Sequence, residues 1–229
     1  MLLIDYTALW LTIKLALLTT IILLGLCVPG AWWLSRYHGR WKPFIETLIA
    51  LPLVLPPTVL GFYLLIAFAP TTWLGQSWLW LTGTQLAFSF SGLLLASIIY
   101  SLPFVMQPLI ASFTQLGIQY DEVAMGLGIA PTQRLLLVSL PIAKPALLSA
   151  ATLGFAHTLG EFGLVLMIGG NIPGETQLLS IALYNHVEAI EYAQAHALAA
   201  VLIGLSFVCL FLLYRFNRPT MQLLPQVKR

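Results

Sequence analysis

The sequence predicts an all-α integral membrane protein, and three observations lead to this class. Of the 229 residues, 59% are hydrophobic and only 8% are charged, whereas a soluble domain carries roughly 25% charged residues. The mean hydropathy is +0.93. The apolar residues form runs of about 20, the length that a spanning helix needs, without the alternation of barrel strands. We therefore expect one compact transmembrane domain over residues 1–229.

Five apolar segments are long enough to cross the membrane, so we expect about five transmembrane helices. Backbone N–H and C=O groups find no partners in lipid, and a helix satisfies them within its own segment. In chain order the predicted spans are Leu15–Leu34, Phe44–Ala69, Leu86–Leu109, Ile142–Ile168 and His196–Tyr214.

The distribution of basic residues predicts how these spans are oriented. Nine of the ten Lys and Arg residues lie in the first loop, the third loop or the C-terminal tail: Arg36, Arg40, Lys42, Arg134, Lys144, Arg215, Arg218, Lys228 and Arg229. Positively charged loops stay in the cytoplasm, which places the N-terminus outside and the C-terminus inside. The remaining base, Lys14, lies near the outer edge of the first span, where its side chain can extend to the surface.

The second span contains three prolines, Pro52, Pro56 and Pro57, within the stretch Leu51–Gly61. Each proline removes a backbone donor and bends its helix. Membrane proteins tolerate such breaks where the backbone is buried in protein or lines a cavity, and transporters place broken helices around the substrate pathway. The stretch predicts either a broken helix that lines a pathway or a kinked helix that only packs.

Between the third and fourth spans lies a polar-edged insert, Tyr120–Pro141, that is unsuited to lipid. Its acids, glycines, prolines and base are Asp121, Glu122, Gly126, Gly128, Pro131, Arg134 and Pro141. Glycine allows a sharp turn, and proline suits the first turn of a helix. The pattern predicts two short helices joined by a glycine turn, on the cytoplasmic side, presented to a soluble partner.

In the fourth span, His157 and Glu161 are four residues apart, which predicts that they share one helical face. Ionisable groups at membrane depth are functional candidates, and the flanking Gly160 and Gly163 allow a helix or a substrate to come close. Three roles stay open. Glu161 could accept hydrogen bonds from backbone amides while His157 bonds to a carbonyl, the pair could gate a pathway, or it could relay protons.

The fourth loop, Gly169–Gln194, contains the main alternative to five spans. A sixth span through Thr176–Tyr192 would bury His186, Glu188 and Glu191, and ionisable groups are costly in hydrocarbon. We expect instead a helix on the outer face or a re-entrant segment.

The sequence contains no catalytic or cofactor motif. His157 and Glu161 offer two ligands, too few for a closed metal site, and the G-x-x-x-x-G-K-[ST] phosphate loop is absent. The ten bases form no stripe, so nucleic-acid binding is unsupported. We expect a non-enzymatic chain without metal or cofactor, in which any ATP is used by a partner subunit.

The insert resembles the EAA loop of ATP-binding-cassette importer permeases. That motif reads roughly Glu-Ala-Ala, then a glycine, then an apolar helix that ends in Leu-Pro. The matching residues here are Glu122, Ala124, Gly128, Leu140 and Pro141. Val123 and Ile129 stand where the family usually has alanine, and both changes are small and apolar.

Three further stretches resemble the molybdate and sulfate branch of that family. L-P-L-V-L-P-P-T-V-L-G-F at Leu51–Phe62 is similar to the second core helix of these permeases. L-G-E-F-G at Leu159–Gly163 and G-N-I-P-G-E-T at Gly170–Thr176 are similar to the molybdate members in particular. The resemblance covers nearly the whole chain.

The resemblance implies a MetI-like helical bundle that imports molybdate, or tungstate or sulfate, driven by ATP. Two copies of the chain would form a homodimer around the pathway, surrounded by membrane lipid. Two cytoplasmic ATPase subunits would each receive a coupling helix at about Ile129–Leu137, and an outer oxyanion-binding protein would deliver the cargo.

The residues implied by the resemblance fall into three sets. Coupling to the ATPase is expected at Glu122, Ala124, Gly128, Ala130, Pro131, Thr132, Gln133 and Arg134. The pathway or gate is expected at Pro52, Pro56, Pro57, Thr158, Gly160, Glu161 and Gly163. Contact with the outer binding protein is expected at Asn171, Pro173, Gly174 and Glu175.

Charge limits how the pathway can treat such a cargo. Molybdate and sulfate are dianions, yet the spans contain almost no base, and Glu161 would repel the cargo if ionised and exposed to it. We expect hydroxyls and backbone amides along the pathway, with Ser97, Ser101, Thr152 and Thr158 as candidates. A weak site also lets a bound ion leave, so selectivity would lie in the binding protein.

The residues by themselves leave two other functions open. A secondary transporter would use Glu161 and His157 as an ion relay and would treat the insert as an ordinary loop. A membrane enzyme would hold a metal at the same two residues. The first would be sensitive to a protonophore, and the second to a chelator.

Overall fold

The computed structural model describes residues 6–115 and 123–216, and the regular elements in these ranges are all helical. In chain order they are α1 (Tyr6–Arg36), α2 (Lys42–Val54), α3 (Pro57–Phe68), α4 (Trp73–Thr82), α5 (Phe90–Gln115), α6 (Pro131–Ile142), α7 (Lys144–Leu159), α8 (Gly163–Gly169), α9 (Leu179–Glu188) and α10 (Tyr192–Phe216). The predicted all-α class is confirmed.

The lengths of these helices agree with about five membrane spans. Helices α1, α5 and α10 are each long and apolar enough to cross alone, and the bent pairs α2–α3 and α6–α7 bring the number to five if each pair is one span. Trp10 and Trp33, exposed near the two ends of α1, are separated by roughly 35 Å of helix. This separation fits a bilayer whose two interfaces favour tryptophan.

Helices α1, α5 and α7 pack against one another and form the core. One of its buried clusters joins Leu23 of α1, Val105 of α5 and Ala150 of α7. A Cβ atom placed on Gly154 of α7 would lie 2.6 Å from Cγ2 of Val105, so a side chain there would displace Val105. Small residues of this kind let membrane helices approach closely.

The predicted second span is broken into two helices. Helix α2 ends at Val54, Leu55 and Pro56 are extended, and α3 begins at Pro57 after a bend of 110°. Pro56 and Pro57 lack the N–H groups that would continue α2. Of the two alternatives, a broken helix or a kinked helix, the structure forms the broken one, and the predicted span Phe44–Ala69 consists of two short helices.

The predicted fourth span, Ile142–Ile168, also differs from the structure. The chain bends by 82° between α6 and α7. Helix α7 then ends at Leu159, and α8 begins at Gly163. The expectation that His157 and Glu161 share a helical face is therefore wrong, because His157 lies in the last turn of α7 and Glu161 lies in the break that follows.

Two short helices lie in the loops. Helix α4 was not predicted; Thr72 caps it by accepting a hydrogen bond from the Gly75 N–H at 3.2 Å, and Gly83 ends it with a φ of 72°. Helix α9 has 10 residues, or about 15 Å, which is too short to cross a bilayer. The alternative sixth span is thus not formed, and the fourth loop carries the short helix that we expect.

The first turn of α9 is held by two distant parts of the chain. The Leu179 N–H donates to Oγ1 of Thr12 in α1 at 2.8 Å, across a sequence separation of 167. The Ser180 hydroxyl donates to the backbone carbonyl of Glu161 at 2.7 Å. All four residues are buried, so α9 is attached both to α1 and to the break between α7 and α8.

Candidate functional site

The insert after α5 contains the glycine turn predicted from the sequence. Residues 123–126 are helical, the Ile129 N–H donates back to the Ala124 carbonyl at 3.1 Å, and Gly128 has a φ of 75°. This is a Schellman motif, in which glycine is favoured at the left-handed position. Ala130 is extended and Pro131 opens α6, where its missing N–H is not needed. We call residues 123–142 the docking segment.

Helix α6 differs in length and form from the predicted coupling helix. The prediction runs over Ile129–Leu137, whereas α6 runs over Pro131–Ile142, and its middle, Arg134–Ser139, is π-helical. Such π-helical turns occur frequently at functional sites. Thr132 and Gln133 are exposed in the first turn of α6, and Arg134 is half-buried. Asp121 and Glu122 lie outside the described residues.

The docking segment exposes large apolar side chains. Five of them are each at least 59% exposed: Val123, Met125, Leu127, Leu136 and Leu137. Ala124, between the first two, is buried against the protein. Exposed apolar surface marks an interaction site where it faces water, and the basic residues at this end of the bundle indicate a segment outside the hydrocarbon.

A single serine joins the docking segment to α1. Oγ of Ser139 accepts hydrogen bonds from Nε1 of Trp32 at 3.1 Å and from Nη2 of Arg36 at 3.5 Å. The Arg36 guanidinium lies 4.3 Å from the centre of the Trp32 ring. Ser139 is buried. A displacement of α6 would therefore act on α1 as well as on α7, and we call this contact the Ser139 joint.

A groove runs along α5 between α2 and α7. It consists of three adjoining cavities of about 310, 340 and 390 Å³ that share Ala111. One end reaches Gln115, Ile142 and Ser149 beside the docking segment, and the other end is lined by Phe104 and Leu153. None of the described residues that line it is Lys or Arg. The lining includes the carboxylate of Glu46, and none of the four hydroxyl residues expected along the pathway is among the described residues that line these three cavities.

The break between α2 and α3 and the break between α7 and α8 lie next to each other. A Cβ atom placed on Gly163 would lie 3.2 Å from Cβ of Pro57, and one placed on Gly61 would lie 2.9 Å from Cβ of Met167. Helices α3 and α8 therefore pack at close range through glycines. Pro57 and Gly163, predicted separately as pathway residues, are neighbours, whereas Pro52 is buried within α2.

Glu161 lies buried at this junction and caps α8. Its Oε1 atom accepts the Leu164 N–H at 2.9 Å, which satisfies one of the N–H groups that a helix start leaves without a partner. His157 bonds to the hydroxyl of Ser101, not to a carbonyl. In the part of the chain that the structure describes, no three His, Cys, Asp or Glu residues are placed to hold a metal ion.

Glu161→Gln is expected to assemble normally and to keep uptake within about twofold of wild type, because glutamine retains an oxygen that can accept the Leu164 N–H. Glu161→Leu, which removes that acceptor, should lower the free energy of unfolding and reduce assembly. Uptake and ATPase activity of the assembled complex check this. Complete loss of uptake in Glu161→Gln with normal assembly and ATPase activity would make the carboxylate essential for gating.

The predicted outer-face residues lie in the turn between α8 and α9. Asn171 has a φ of 64°. It exchanges hydrogen bonds with Asn185 at 3.2 Å and accepts one from Nε2 of Gln177 at 2.9 Å. Pro173, Gly174 and Glu175 are exposed beside it. This surface is therefore rigid at Asn171 and accessible at the three residues that follow.

One tyrosine on the same side titrates above its ordinary range. The Tyr184 hydroxyl donates to Oε1 of Glu188 at 2.6 Å. This hydrogen bond, and secondarily the negative charge of Glu188, raises the pKa of Tyr184. The fourth loop thus exposes acidic groups and a protonated tyrosine.

Sequence reasoning missed Ser139 and most of the groove, including Phe104. The sequence does contain a periodic pattern along α5 that indicates one polar face with a single aromatic residue. Ser97, Ser101, Phe104, Pro108, Ser112 and Gln115 recur every three or four residues on α5 and so share one face. Nothing local marks Ser139, because its partners lie more than 100 positions earlier in the chain.

The helical bundle and its broken helices are those of a multi-pass membrane protein, and the docking segment gives it an exposed apolar surface. Residues 21–222 match the family model described as "Binding-protein-dependent transport system inner membrane component". The chain belongs to this family of ATP-binding-cassette importer permeases, as the EAA-like loop predicts.

Similar proteins are named as permeases of molybdenum and of sulfate transport systems. The chain is 50% identical to the molybdenum transport system permease protein ModB of Azotobacter vinelandii, over 93% of this chain and 95% of that relative. It is 33% identical to a probable sulfate transport system permease protein, cysT of Prototheca wickerhamii, over 88% of this chain and 79% of that relative. The predicted resemblance to the molybdate and sulfate branch is confirmed.

The fold agrees with a solved importer. The inward-facing MetNI methionine ABC transporter matches with a TM-score of 0.70 and 16% identity, over 92% of this chain and 93% of that one. At this identity the likeness shows the fold alone, and it confirms the predicted MetI-like bundle.

Proposed function

We propose that this chain is the membrane subunit of an ATP-driven, binding-protein-dependent importer for molybdate, with tungstate and sulfate as related cargoes. The 50% identity to a molybdenum permease over nearly the whole of both chains supports the cargo. The groove supports a weak and transient passage of a dianion. No Lys or Arg is among its described lining residues, and its polar lining consists of hydroxyls, amides and one carboxylate: Ser112, Ser149, Gln107, Gln115 and Glu46. A bound ion must be able to leave, and the selectivity is assigned to the binding protein.

The observation that carries the coupling mechanism is the docking segment. Its apolar side chains are exposed on a segment that ends in the Ser139 joint. We assign this surface to a cytoplasmic ATP-binding-cassette ATPase, with the coupling role at Ala124, Gly128 and residues 130–134. Glu122 belongs to the same proposed set by sequence. Closure of the ATPase dimer would displace α6 and, through Ser139, α1.

The remaining parts of the proposal concern assembly and orientation. A second copy of the chain would complete the pathway, and the outer binding protein would contact Asn171, Pro173, Gly174 and Glu175. The charge distribution supports an outside N-terminus and a cytoplasmic C-terminus. This chain would carry no nucleotide site or cofactor of its own, and its partner would hydrolyse the ATP.

The alternative of a secondary transporter loses its main support in the structure. A relay needs His157 and Glu161 to exchange a proton, but His157 bonds to Ser101 and Glu161 bonds to the Leu164 amide. Membership of the importer family also provides an energy source that needs no relay.

ATP-dependent uptake in proteoliposomes tests the proposed function. The vesicles would contain this chain with its candidate ATPase, and the binding protein would be loaded with molybdate, tungstate or sulfate. We expect uptake that requires ATP and binding protein and that resists a protonophore. Uptake without ATP, abolished by the protonophore, would overturn the proposal.

Ser139→Ala is expected to leave ATPase binding and hydrolysis intact while uptake per ATP falls about fivefold, since a buried hydrogen bond contributes about 1 kcal/mol. The reason is the loss of both hydrogen bonds to α1 at the Ser139 joint. Thr47→Ala is the matched control, because its hydroxyl bonds only to the Pro43 carbonyl of its own helix. Equal coupling ratios in the two variants would show that the joint transmits nothing.

A further inference from the structure

One end of the groove along α5 is lined by a residue of an aromatic stack. Phe104 is among the residues that line its end, and the Phe104 ring lies 3.8 Å from the His157 ring, centre to centre, with an angle of 25° between their planes. The Tyr100 ring also lies near His157, 4.7 Å from it centre to centre. Beyond the stack, Ser97 and Ser101 are fully buried. The three cavities thus cover roughly 16 Å of α5, from Gln115 to Phe104.

We propose that Phe104 is the gate residue of the pathway and that His157 is the positioning residue that holds it shut. This proposal rests on the proposed function, and it adds the position along α5 at which the anion pathway closes. An apolar ring that blocks a narrow route excludes a hydrated anion without binding it. The homodimer would bring one such ring from each protomer.

A chain of hydrogen bonds fixes the orientation of the His157 ring. The Thr158 hydroxyl donates to the Gly154 carbonyl at 3.0 Å, and a hydroxyl has one hydrogen to donate. Ser101, 3.0 Å from Thr158, must therefore be the donor in that contact. Because its only hydrogen goes to Thr158, the Ser101 hydroxyl must accept in its contact with His157. The Nδ1–H group of His157 is therefore the donor there, at 2.9 Å.

This order of donors favours a packing role for His157 over an anion-binding role. With Nδ1–H committed to Ser101, a neutral ring has no second N–H to offer an oxyanion. The ring is instead fixed in place against Phe104. Movement of α7 relative to α5 would separate the two rings, and α7 follows directly after the docking segment. The stack therefore lies where displacement of α6 can open it.

The test is passive leakage from proteoliposomes that contain the complete permease–ATPase complex, loaded with labelled molybdate or sulfate and given no ATP. Phe104→Ala is expected to raise the leak of both anions about tenfold over wild type, because the blocking ring is gone. Ile99→Ala, at an exposed position on α5, is the matched control and should leak like wild type. Phe104→Leu, which keeps apolar volume, should give an intermediate leak and covers the case in which the alanine variant fails to assemble.

Two substitutions of His157 separate packing from anion binding. His157→Phe keeps a ring against Phe104 and leaves Ser101 free to donate to Thr158, so it should stay closed and retain ATP-driven uptake. His157→Ala should leak. Loss of uptake in His157→Phe without leakage would overturn the proposal in favour of an anion ligand, and wild-type leak rates in every Phe104 variant would overturn the gate.

Failure of the proposed function gives a different result. If wild type shows no ATP-dependent molybdate uptake while Phe104→Ala still leaks both anions, the cargo assignment is wrong and the gate stands. If wild type takes up molybdate and Phe104→Ala and Phe104→Leu do not leak, the function stands and the gate is elsewhere.

Discussion

Replacing Gly128 by proline is expected to abolish both ATPase association and uptake. Gly128 has a φ of 75° and donates its N–H to the Met125 carbonyl at 3.0 Å. Proline fixes φ near −65° and has no N–H, so the turn that places α6 cannot form. If the free energy of ATPase binding falls by about 3 kcal/mol, the ATPase binds the permease roughly a hundredfold more weakly. Co-purification of the ATPase with the permease, followed by uptake, measures both effects.

Two further glycine substitutions distinguish loss of the turn at Gly128 from general misfolding of the docking segment. Gly128→Asn should remain close to wild type, because asparagine tolerates the left-handed conformation. Gly126→Ala lies in the helical residues of the same segment, where an added Cβ meets open space, and should also bind the ATPase. Retention of the ATPase by Gly128→Pro would show that the docking surface lies outside this segment.

Replacing Gly61 by valine is expected to lower the free energy of unfolding by about 2 kcal/mol and to suppress uptake, since overpacking typically costs 1–3 kcal/mol. The added Cβ would lie 2.9 Å from Cβ of Met167 and 3.5 Å from Cα of Leu164. Valine would therefore push α3 away from α8 at the point where the two helix breaks meet. Thermal unfolding in detergent and uptake in vesicles report the two consequences.

The control for this change is Gly25→Val in α1. No atom lies within 4 Å of a Cβ placed on Gly25, so the valine projects into open space and stability should change little. Similar unfolding temperatures for the two valine variants would mean that α3 and α8 are free to separate, contrary to the close packing described here.

The docking segment was predictable because its backbone follows local rules. A glycine at a left-handed turn, an extended Ala130 and a proline at the first helical position need no tertiary information. The break at Pro56 and Pro57 was predictable for the same reason, since missing N–H groups end a helix wherever it lies.

The arrangement of the breaks was not predictable, because it depends on contacts between distant segments. The sequence placed His157 and Glu161 on one helix, but α7 ends at Leu159 and Glu161 caps a new helix. Hydropathy cannot detect this break, since α7 and α8 are both apolar. The contact of Gly163 with Pro57 and the groove along α5 likewise exist only after α3, α5 and α7 have packed.

The attachment of α9 to Thr12 has a consequence for biosynthesis. Thr12, whose hydroxyl accepts the hydrogen bond, enters the membrane with the first span. Leu179, which donates it, is synthesised 167 positions later. Contacts so distant in sequence form late, because the intervening chain must first be ordered. The nascent protein would therefore hold α1 and α5 together before α9 has an anchor. A ribosome-bound chain that stops before α9 would lack the cross-link between its first span and the α7–α8 break, and it would be a natural substrate for membrane quality control.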